Sequence, residues 1–251
     1  GPGYKAGIHA GDLLISINGT PTQDITMDEV LGMLRGKIGE SVDVVVRRGK
    51  NMEFPVTLVR ELIEVPTVKF GMIDDKNAKI GYLRIIEFTP QTAQRVQDAI
   101  DSFKKNNFTG MIIDLRNNPG GLITSVADVA DKFIDSGIIV STKSRISEAA
   151  SVYTATPDAT TMPKGIPIVV LINKGSASAS EILAGALKDY HLAYLVGERT
   201  YGKGSVQQVI PLYNADGVKL TMARYYTPSD VNIDKIGIPP DMEVKVPDLT
   251  E

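Results

Sequence analysis

The 251-residue sequence contains no cysteine and no tryptophan, and it has only two histidines, His9 and His191. The absence of cysteine excludes disulfides, thiol catalysis, thiolate zinc sites and iron–sulfur clusters. Two histidines so far apart in sequence cannot build a histidine-rich metal site, and a Ser-His-Asp triad would have to use one of them.

Charge of one sign and long apolar runs are also scarce. The 27 basic and 30 acidic residues leave a formal net charge of -3, which disfavours a nucleic-acid-binding protein. No apolar run reaches the roughly 18 residues of a membrane-spanning helix. The chain opens on Gly-Pro-Gly-Tyr-Lys, in what reads as the middle of a domain, so we expect a preceding segment, with any targeting signal or membrane anchor, to be missing.

What is present is an ordinary globular composition, 43% hydrophobic and 23% charged, with a length suited to one or two domains. Residues 1–62 are predicted to form a small mixed α/β unit. Its helix begins at Thr26, which forms a capping-box pattern with Glu29. Its strands are predicted at residues 13–17, 42–46 and 54–59.

Residues 63–251 are predicted to form a second unit, with 63–78 as a connector and 144–164 as a polar, irregular segment. A helix is expected from Thr89, with Pro90 in its first position, to about residue 105. Strands and helices alternate along this unit, which predicts β-α-β crossovers and a largely parallel sheet flanked by helices. The predicted strands cover residues 80–88, 111–115, 138–141, 168–172, 193–196, 205–212 and 218–225.

The most informative segment is Asn-Lys-Gly-Ser-Ala-Ser-Ala-Ser-Glu at residues 173–181. A buried strand leads through a turn of small residues into a helix, which exposes one side chain at the carboxyl edge of the sheet. Backbone N–H groups at the helix start favour a developing oxyanion there, as in a nucleophile elbow, although the Gly-x-Ser-x-Gly motif is absent. The alternative is structural, because Ser178 and Glu181 also match the capping-box pattern.

A serine nucleophile needs a base, and neither histidine is well placed for that role. Lys203, between two glycines on a loop before a strand, is the candidate, because burial can lower a lysine pKa by disfavouring the charged form. Gln207, four residues on, could orient the amine. The alternative is a solvated loop lysine. A third segment, Arg-Asn-Asn-Pro-Gly-Gly at 116–121, could supply an oxyanion donor or form only a tight strand-to-helix turn.

Together these segments resemble one family, the carboxyl-terminal processing peptidases, which are tail-specific serine proteases. Lys203 lies 25 residues after Ser178, as in that family. The segments at 80–85, 114–122 and 236–241 are similar to the same family, so the resemblance covers nearly the whole chain. The first unit resembles a PDZ domain through residues 4–8 and 11–19, but the strands that carry the carboxylate-binding loop are missing, so we expect a partial PDZ domain.

The resemblance implies a crotonase-like serine protease core and a role for each site residue. Ser178 matches the nucleophile, Lys203 the general base and Gln207 its orienting partner. The backbone N–H groups of Gly121 and Ala179 match the oxyanion hole. We expect Asp189, which corresponds to an acidic residue affecting activity in some members, to be a structural helix-end residue.

The implied activity is a serine endopeptidase that needs no metal or cofactor and cleaves near the C-terminus of protein or peptide tails captured by the PDZ domain. The resemblance also implies an extracytoplasmic location, in the periplasm, cell envelope or thylakoid lumen, and leaves a homo-oligomer open. Two alternatives remain: a non-catalytic peptide-binding protein on the same scaffold, and a peptidase held in an inhibited arrangement.

Overall fold

The structure is a computed structural model that describes residues 1–63, 66–75, 77–145, 150–212 and 216–245, without the side chains of 208 and 209. The chain divides into two compact units, Gly1–Val65 and Pro66–Glu251. In the described ranges no helix combines the length and the apolar character needed to cross a membrane.

The first unit is a four-stranded antiparallel sheet with two short helices. Its strands lie in the order β2-β1-β3-β4, and the element bounds are α1 Pro2–Lys5, β1 Leu13–Ile17, β2 Thr20–Pro21, α2 Met27–Leu34, β3 Ser41–Arg48 and β4 Met52–Val59. Helix α2 begins at the capping box of Thr26 and Glu29, as predicted. The core is small and aliphatic, formed by Ile17, Val42, Val44 and Val46.

The second unit contains a six-stranded sheet of order β14-β11-β10-β7-β6-β5. The strands are β5 Val68–Asp75, β6 Ala78–Ile85, β7 Gly110–Asp114, β10 Ile168–Ile172, β11 Ala193–Gly197 and β14 Met242–Glu243. All neighbouring pairs are parallel except β5 with β6. The prediction of a mixed, largely parallel sheet is therefore confirmed.

Helices α3 Thr92–Lys105, α4 Ile123–Ala130 and α5 Ala179–Asp189 pack with this sheet around one apolar core. Helix α5 is buried from Ala179 to Leu187, and this stretch is small and apolar apart from Ser180 and Glu181. A second, antiparallel sheet of order β12-β13-β8-β9 belongs to the same unit. Its strands are β8 Ile138–Lys143, β9 Ser151–Thr154, β12 Ser205–Pro211 and β13 Gly217–Tyr226.

Three sequence predictions need correction. The connector predicted at 63–78 contains the edge strand β5, and the irregular segment predicted at 144–164 contains β9 and a 3-10 turn, Pro157–Ala159. Residues 64, 65, 76 and 146–149 of these two segments lie outside the described residues. Helix α3 starts at Thr92 rather than Pro90, because the Thr92 hydroxyl accepts the Thr89 N–H at 2.9 Å in a turn that precedes the helix.

Candidate active site

Three parallel strands bring the predicted site segments to one edge of the sheet. The turn at 116–121 follows β7, the turn at 173–178 follows β10, and the loop at 198–204 follows β11. In the strand register, Leu171 lies opposite Asp114 and Ile172 lies opposite Gly197. The three strands therefore end side by side, and the three connections start at the same edge of the sheet. This carboxyl edge is where ligands bind in open α/β sheets.

Ser178 occupies a strained position at the head of α5. Its backbone has φ 56° and ψ −115°, a combination that non-glycine residues rarely adopt. Its two neighbours of the same type, Ser176 and Ser180, are fully buried and donate to the carbonyls of Leu115 and Asn118 at 2.8 and 3.0 Å. Ser178 is half-buried instead. Of the three serines, this one faces accessible space, which favours it as the nucleophile.

Two backbone N–H groups beside Ser178 are free to bind an oxyanion. Within the described part of the chain, neither the Gly121 N–H nor the Ala179 N–H donates to a protein acceptor. The Ser178 N–H is not available, because it donates to the Glu181 carboxylate at 2.8 Å. An oxyanion site at this position can therefore be served by Gly121 and Ala179, the two donors that the family resemblance implies.

Asn118 holds the glycine turn against the elbow. Its side-chain amide donates to the Ile85 carbonyl at 2.9 Å, and its side-chain oxygen accepts the Gly120 N–H at 2.8 Å. Its backbone carbonyl accepts the Ala177 N–H at 3.0 Å. Because Asn118 is fully buried, these bonds are shielded from water and fix the turn.

Lys203 lies on the neighbouring loop, tied to α5 through its backbone. Its N–H donates to the Glu181 carboxylate at 2.8 Å. Its side chain is exposed, and among the described residues it has no hydrogen bond to Ser178 or to Gln207. The sequence predicts an amine shielded from water, whereas the Lys203 side chain is exposed in the structure.

Gln207 lies on β12, directly after a bulge between Val206 and Gln207, and is exposed. His191 follows the far end of α5, away from the carboxyl edge, and His9 belongs to the first unit. Asp189 ends α5 and accepts the Ser229 N–H at 2.8 Å, which agrees with a structural role. Within the described residues no three metal-ligating side chains converge.

The structural alternative for Ser178 is present as well, since Ser178 and Glu181 form a capping box. The two interpretations are compatible, because the cap holds the strained serine in place. The sequence predicts only this capping role for Glu181. The hydrogen bonds that Glu181 accepts from the loop at 200–203 could not be predicted from the spacing of nearby residues.

A polar cluster behind the edge was also missed. Asp114, fully buried at the end of β7, accepts from the Tyr82 hydroxyl at 2.7 Å and from two nitrogens of Arg116 at 2.9 and 2.8 Å. Burial alone would raise the pKa of Asp114, but the Arg116 and Tyr82 hydrogen bonds outweigh it and lower that pKa. The ion pair anchors the start of the glycine turn.

The fold and the elbow together define a class: a PDZ-type unit joined to an α/β core of the serine-peptidase type. The sequence profile of Peptidase family S41 matches residues 79–244, and that of the PDZ domain matches residues 1–48. The chain belongs to peptidase family S41.

Named relatives support this placement. The chain is 41% identical, over 98% of its length, to a carboxy-terminal-processing protease of Bartonella bacilliformis, and covers 56% of that protein. It is 37% identical, over 96% of its length, to carboxyl-terminal-processing peptidase 2, chloroplastic, of Arabidopsis thaliana, and covers 47% of it. The chain thus spans about half the length of the curated relatives it matches.

A solved structure gives the same result. The photosystem II D1 C-terminal processing protease superposes with a TM-score of 0.64 at 34% sequence identity, covering 97% of this chain and 65% of that one. A protein titled as a putative S41 protease from Bacteroides fragilis superposes with a TM-score of 0.65 at 19% identity, over 97% of this chain and 68% of that one. At that identity the second likeness concerns the fold alone.

Proposed function

We propose that the chain is the PDZ and peptidase part of a serine endopeptidase that cleaves protein substrates near their C-terminus. The observation that carries the proposal is the strained, half-buried Ser178 beside two N–H groups that have no acceptor within the described residues. Backbone strain at a single residue and unpaired N–H donors next to it are features of a site prepared for a reacting group.

In the proposed mechanism, Lys203 in its neutral form takes the proton of the Ser178 hydroxyl. The alkoxide attacks the scissile carbonyl, and the Gly121 and Ala179 N–H groups hold the oxyanion of the tetrahedral intermediate. The lysine then gives its proton to the leaving amine, which leaves an acyl-enzyme that water hydrolyses. Gln207 orients the lysine amine, and no metal or cofactor takes part.

Exposure of Lys203 in the structure fits a step in which substrate completes the site. A bound peptide backbone next to Ser178 would displace water from the loop at 202–204 and shield the amine. The same observation supports a second arrangement of this enzyme, a resting state in which the dyad hydrogen bond is absent until a tail binds. A non-catalytic binding protein would not need the strained serine.

The PDZ unit supplies the tail-binding part of the proposal. We infer that a protein or peptide C-terminus is captured there and that α2 forms one wall of the groove. By analogy with the processing proteases among its relatives, we place the protein outside the cytoplasm, in the periplasm, cell envelope or thylakoid lumen. Membrane attachment through a further segment and self-association belong to the same proposal.

The test compares Ser178→Ala and Lys203→Ala with the parent chain, using cleavage of a peptide with an apolar C-terminal tail. Each change should lower kcat/KM by at least about 10³-fold, since each removes a partner of the same chemical step. Lys174→Ala is the matched control, an exposed lysine at the same sheet edge that pairs with Glu198.

A serine-reactive acylating probe with a peptide backbone, which fills the site next to Ser178 as a substrate does, provides the second readout. It should label Ser178 in the parent chain and in Lys174→Ala, but label Lys203→Ala far more slowly. Parent-like turnover by Lys203→Ala would reject the dyad. A parent chain that binds tails yet neither cleaves them nor reacts with the probe would establish the binding-protein alternative.

A further inference from the structure

Glu181 is a fully buried carboxylate that accepts hydrogen bonds from two separate segments of the chain. Its Oε2 atom accepts the Ser178 N–H and the Lys203 N–H, each at 2.8 Å. Its Oε1 atom accepts the Gly202 N–H at 2.7 Å and the Thr200 hydroxyl at 2.5 Å. A carboxylate, which only accepts hydrogen bonds, matches this set of donors.

The geometry connects the two halves of the proposed dyad through one atom. Because the Ser178 and Lys203 nitrogens both bond to Oε2, they cannot lie farther apart than twice 2.8 Å. The two residues come from different connections, the turn before α5 and the loop after β11, and lie 25 positions apart. Glu181 therefore joins the backbones of Ser178 and Lys203 directly, beside the bond in which the Tyr201 N–H donates to the Ser176 carbonyl at 3.0 Å.

The surroundings explain why a buried charge is tolerated here. Removing a carboxylate from water is costly unless hydrogen bonds replace its hydration, and here four donors do so. The carboxylate also lies at the N-terminal end of α5, where the helix dipole favours negative charge. The donor loop is held from its other side, since the Thr200 hydroxyl accepts the Ile238 N–H at 2.7 Å.

We propose that Glu181 is a positioning residue of the peptidase: by bonding both backbones, it sets the distance between the Ser178 hydroxyl and the Lys203 amine. The inference rests on the proposed Ser178–Lys203 dyad. It goes beyond a helix cap, because a cap would need Ser178 alone. It also assigns the Ser178 N–H to Glu181, which leaves the oxyanion to Gly121 and Ala179.

Glu181→Gln is the informative change, because it keeps the size of the side chain and replaces one acceptor oxygen by an NH₂ group. That group would face the Ser178 and Lys203 N–H groups on the Oε2 side, or the Gly202 N–H on the Oε1 side, where the Thr200 hydroxyl can turn to accept from it. In either orientation at least one backbone bond to the loop that carries Lys203 is lost. A misplacement of about 1 Å between reacting groups costs roughly 10²-fold in rate. We expect kcat for tail cleavage to fall by about that factor, with KM changed less than about 2-fold.

A double-mutant cycle separates positioning from general structural damage. The rate of Ser178 acylation by a serine-reactive probe is measured in the parent chain, Glu181→Gln, Lys203→Ala and the double variant. If Glu181 acts by placing the lysine, its replacement should cost less than about 3-fold once Lys203→Ala has removed the amine. The same roughly 10²-fold loss in both backgrounds would overturn the proposal, as would a parent-like Glu181→Gln.

Glu181→Asp provides a second variant should the glutamine variant fail to fold, as judged by thermal unfolding. It keeps the charge but is one methylene shorter, so it cannot reach both segments. When Lys203 is present, we expect Glu181→Asp to lower the rate of Ser178 acylation by about 10-fold. In Lys203→Ala the same change should lower that rate almost not at all. Equal losses in the two chains would again reject the positioning role. Asp241→Asn, which removes a carboxylate that accepts the Leu195 N–H away from the site, should change neither rate by more than about 2-fold.

The same double-mutant cycle tests the proposed Ser178–Lys203 dyad independently of Glu181. A Lys203→Ala chain that is acylated as fast as the parent would reject the proposed base, whatever Glu181→Gln does. If Lys203→Ala is acylated slowly and the effects of Glu181→Gln and Lys203→Ala on the acylation rate simply add, Lys203 is retained as the base and only the role of Glu181 is rejected.

Discussion

Gly120 packs closely against the proposed nucleophile, Ser178. A Cβ atom added there would lie 2.8 Å from the Ser178 Cβ and 2.9 Å from the Ala179 nitrogen, and the backbone φ is +107°. Alanine at this position must therefore push the glycine turn at 116–121 away from the turn at 173–178 that carries Ser178. We expect Gly120→Ala to lower kcat for tail cleavage by at least about 10²-fold, because the Ala179 donor leaves its place.

The control is Gly165→Ala, since Gly165 shares a positive φ of +80° but has no atom within 4 Å of an added Cβ. Backbone strain should cost each variant about 1 kcal/mol of unfolding free energy. Only Gly120→Ala should lose activity. Equal activity of the two variants, measured on chains that are folded by thermal unfolding, would show that the turn does not carry an oxyanion donor.

Glu181 contacts two segments of the chain, and only its contact with Ser178 could be predicted from the sequence. The spacing of Ser178 and Glu181 predicts a capping box, and this box is present. The bonds from Glu181 to Gly202 and Lys203 span 21 and 22 residues, so they depend on how β10 and β11 pair. Local spacing reveals caps and turns, whereas contacts between parallel connections become visible only in the folded sheet.

At the level of elements, apolar strands were predictable and an edge strand was not. Strand β10 reads Ile-Val-Val-Leu-Ile, and burial on both faces explains its continuous apolar run. Strand β5 has a shorter pattern, because Val68, Phe70 and Met72 alternate with Lys69 and Gly71 but the last three residues break the alternation. Its position comes from antiparallel pairing with β6, from Val68 opposite Ile85 to Asp75 opposite Ala78.

Asp114 connects the ends of two elements, and its electrostatics predict how stability depends on pH. The pKa of Asp114 is lowered in the folded chain because the Arg116 and Tyr82 hydrogen bonds outweigh the opposing effect of burial. The stabilisation is therefore complete above the unfolded carboxyl pKa of about 4 and is lost as the pH falls through the lower folded value.

Asp114→Asn should thus cost about 2 kcal/mol of unfolding free energy at neutral pH, because it leaves Arg116 without its bidentate partner. The cost should shrink as the pH is lowered below about 4, since the wild-type carboxyl then takes up a proton. Denaturant unfolding at a series of pH values measures both effects. Asp128→Asn, an exposed carboxyl on α4, should change neither; a cost for Asp114→Asn independent of pH would contradict the argument.

At the scale of the whole molecule, the two units have separate apolar cores, one around Val44 and the other around Val170. Both valines are almost completely buried. Because each core belongs to one unit, a cavity made in one should weaken that unit and spare the other. Tail capture is proposed for the first unit and bond cleavage for the second, so the two activities should be separable by temperature.

Val44→Ala should cost about 2 kcal/mol and lower the unfolding midpoint of the first unit by roughly 10 °C. Cleavage of a tail peptide should then be lost at a lower temperature than in the parent chain, while probe acylation of Ser178 persists to the parent's temperature. Val170→Ala should lower the temperatures at which cleavage and acylation are lost together, since Val170 lies in β10, the strand that leads to Ser178. If Val44→Ala also ends acylation early, the units unfold as one, and the reactivity of the proposed nucleophile depends on the first unit being folded.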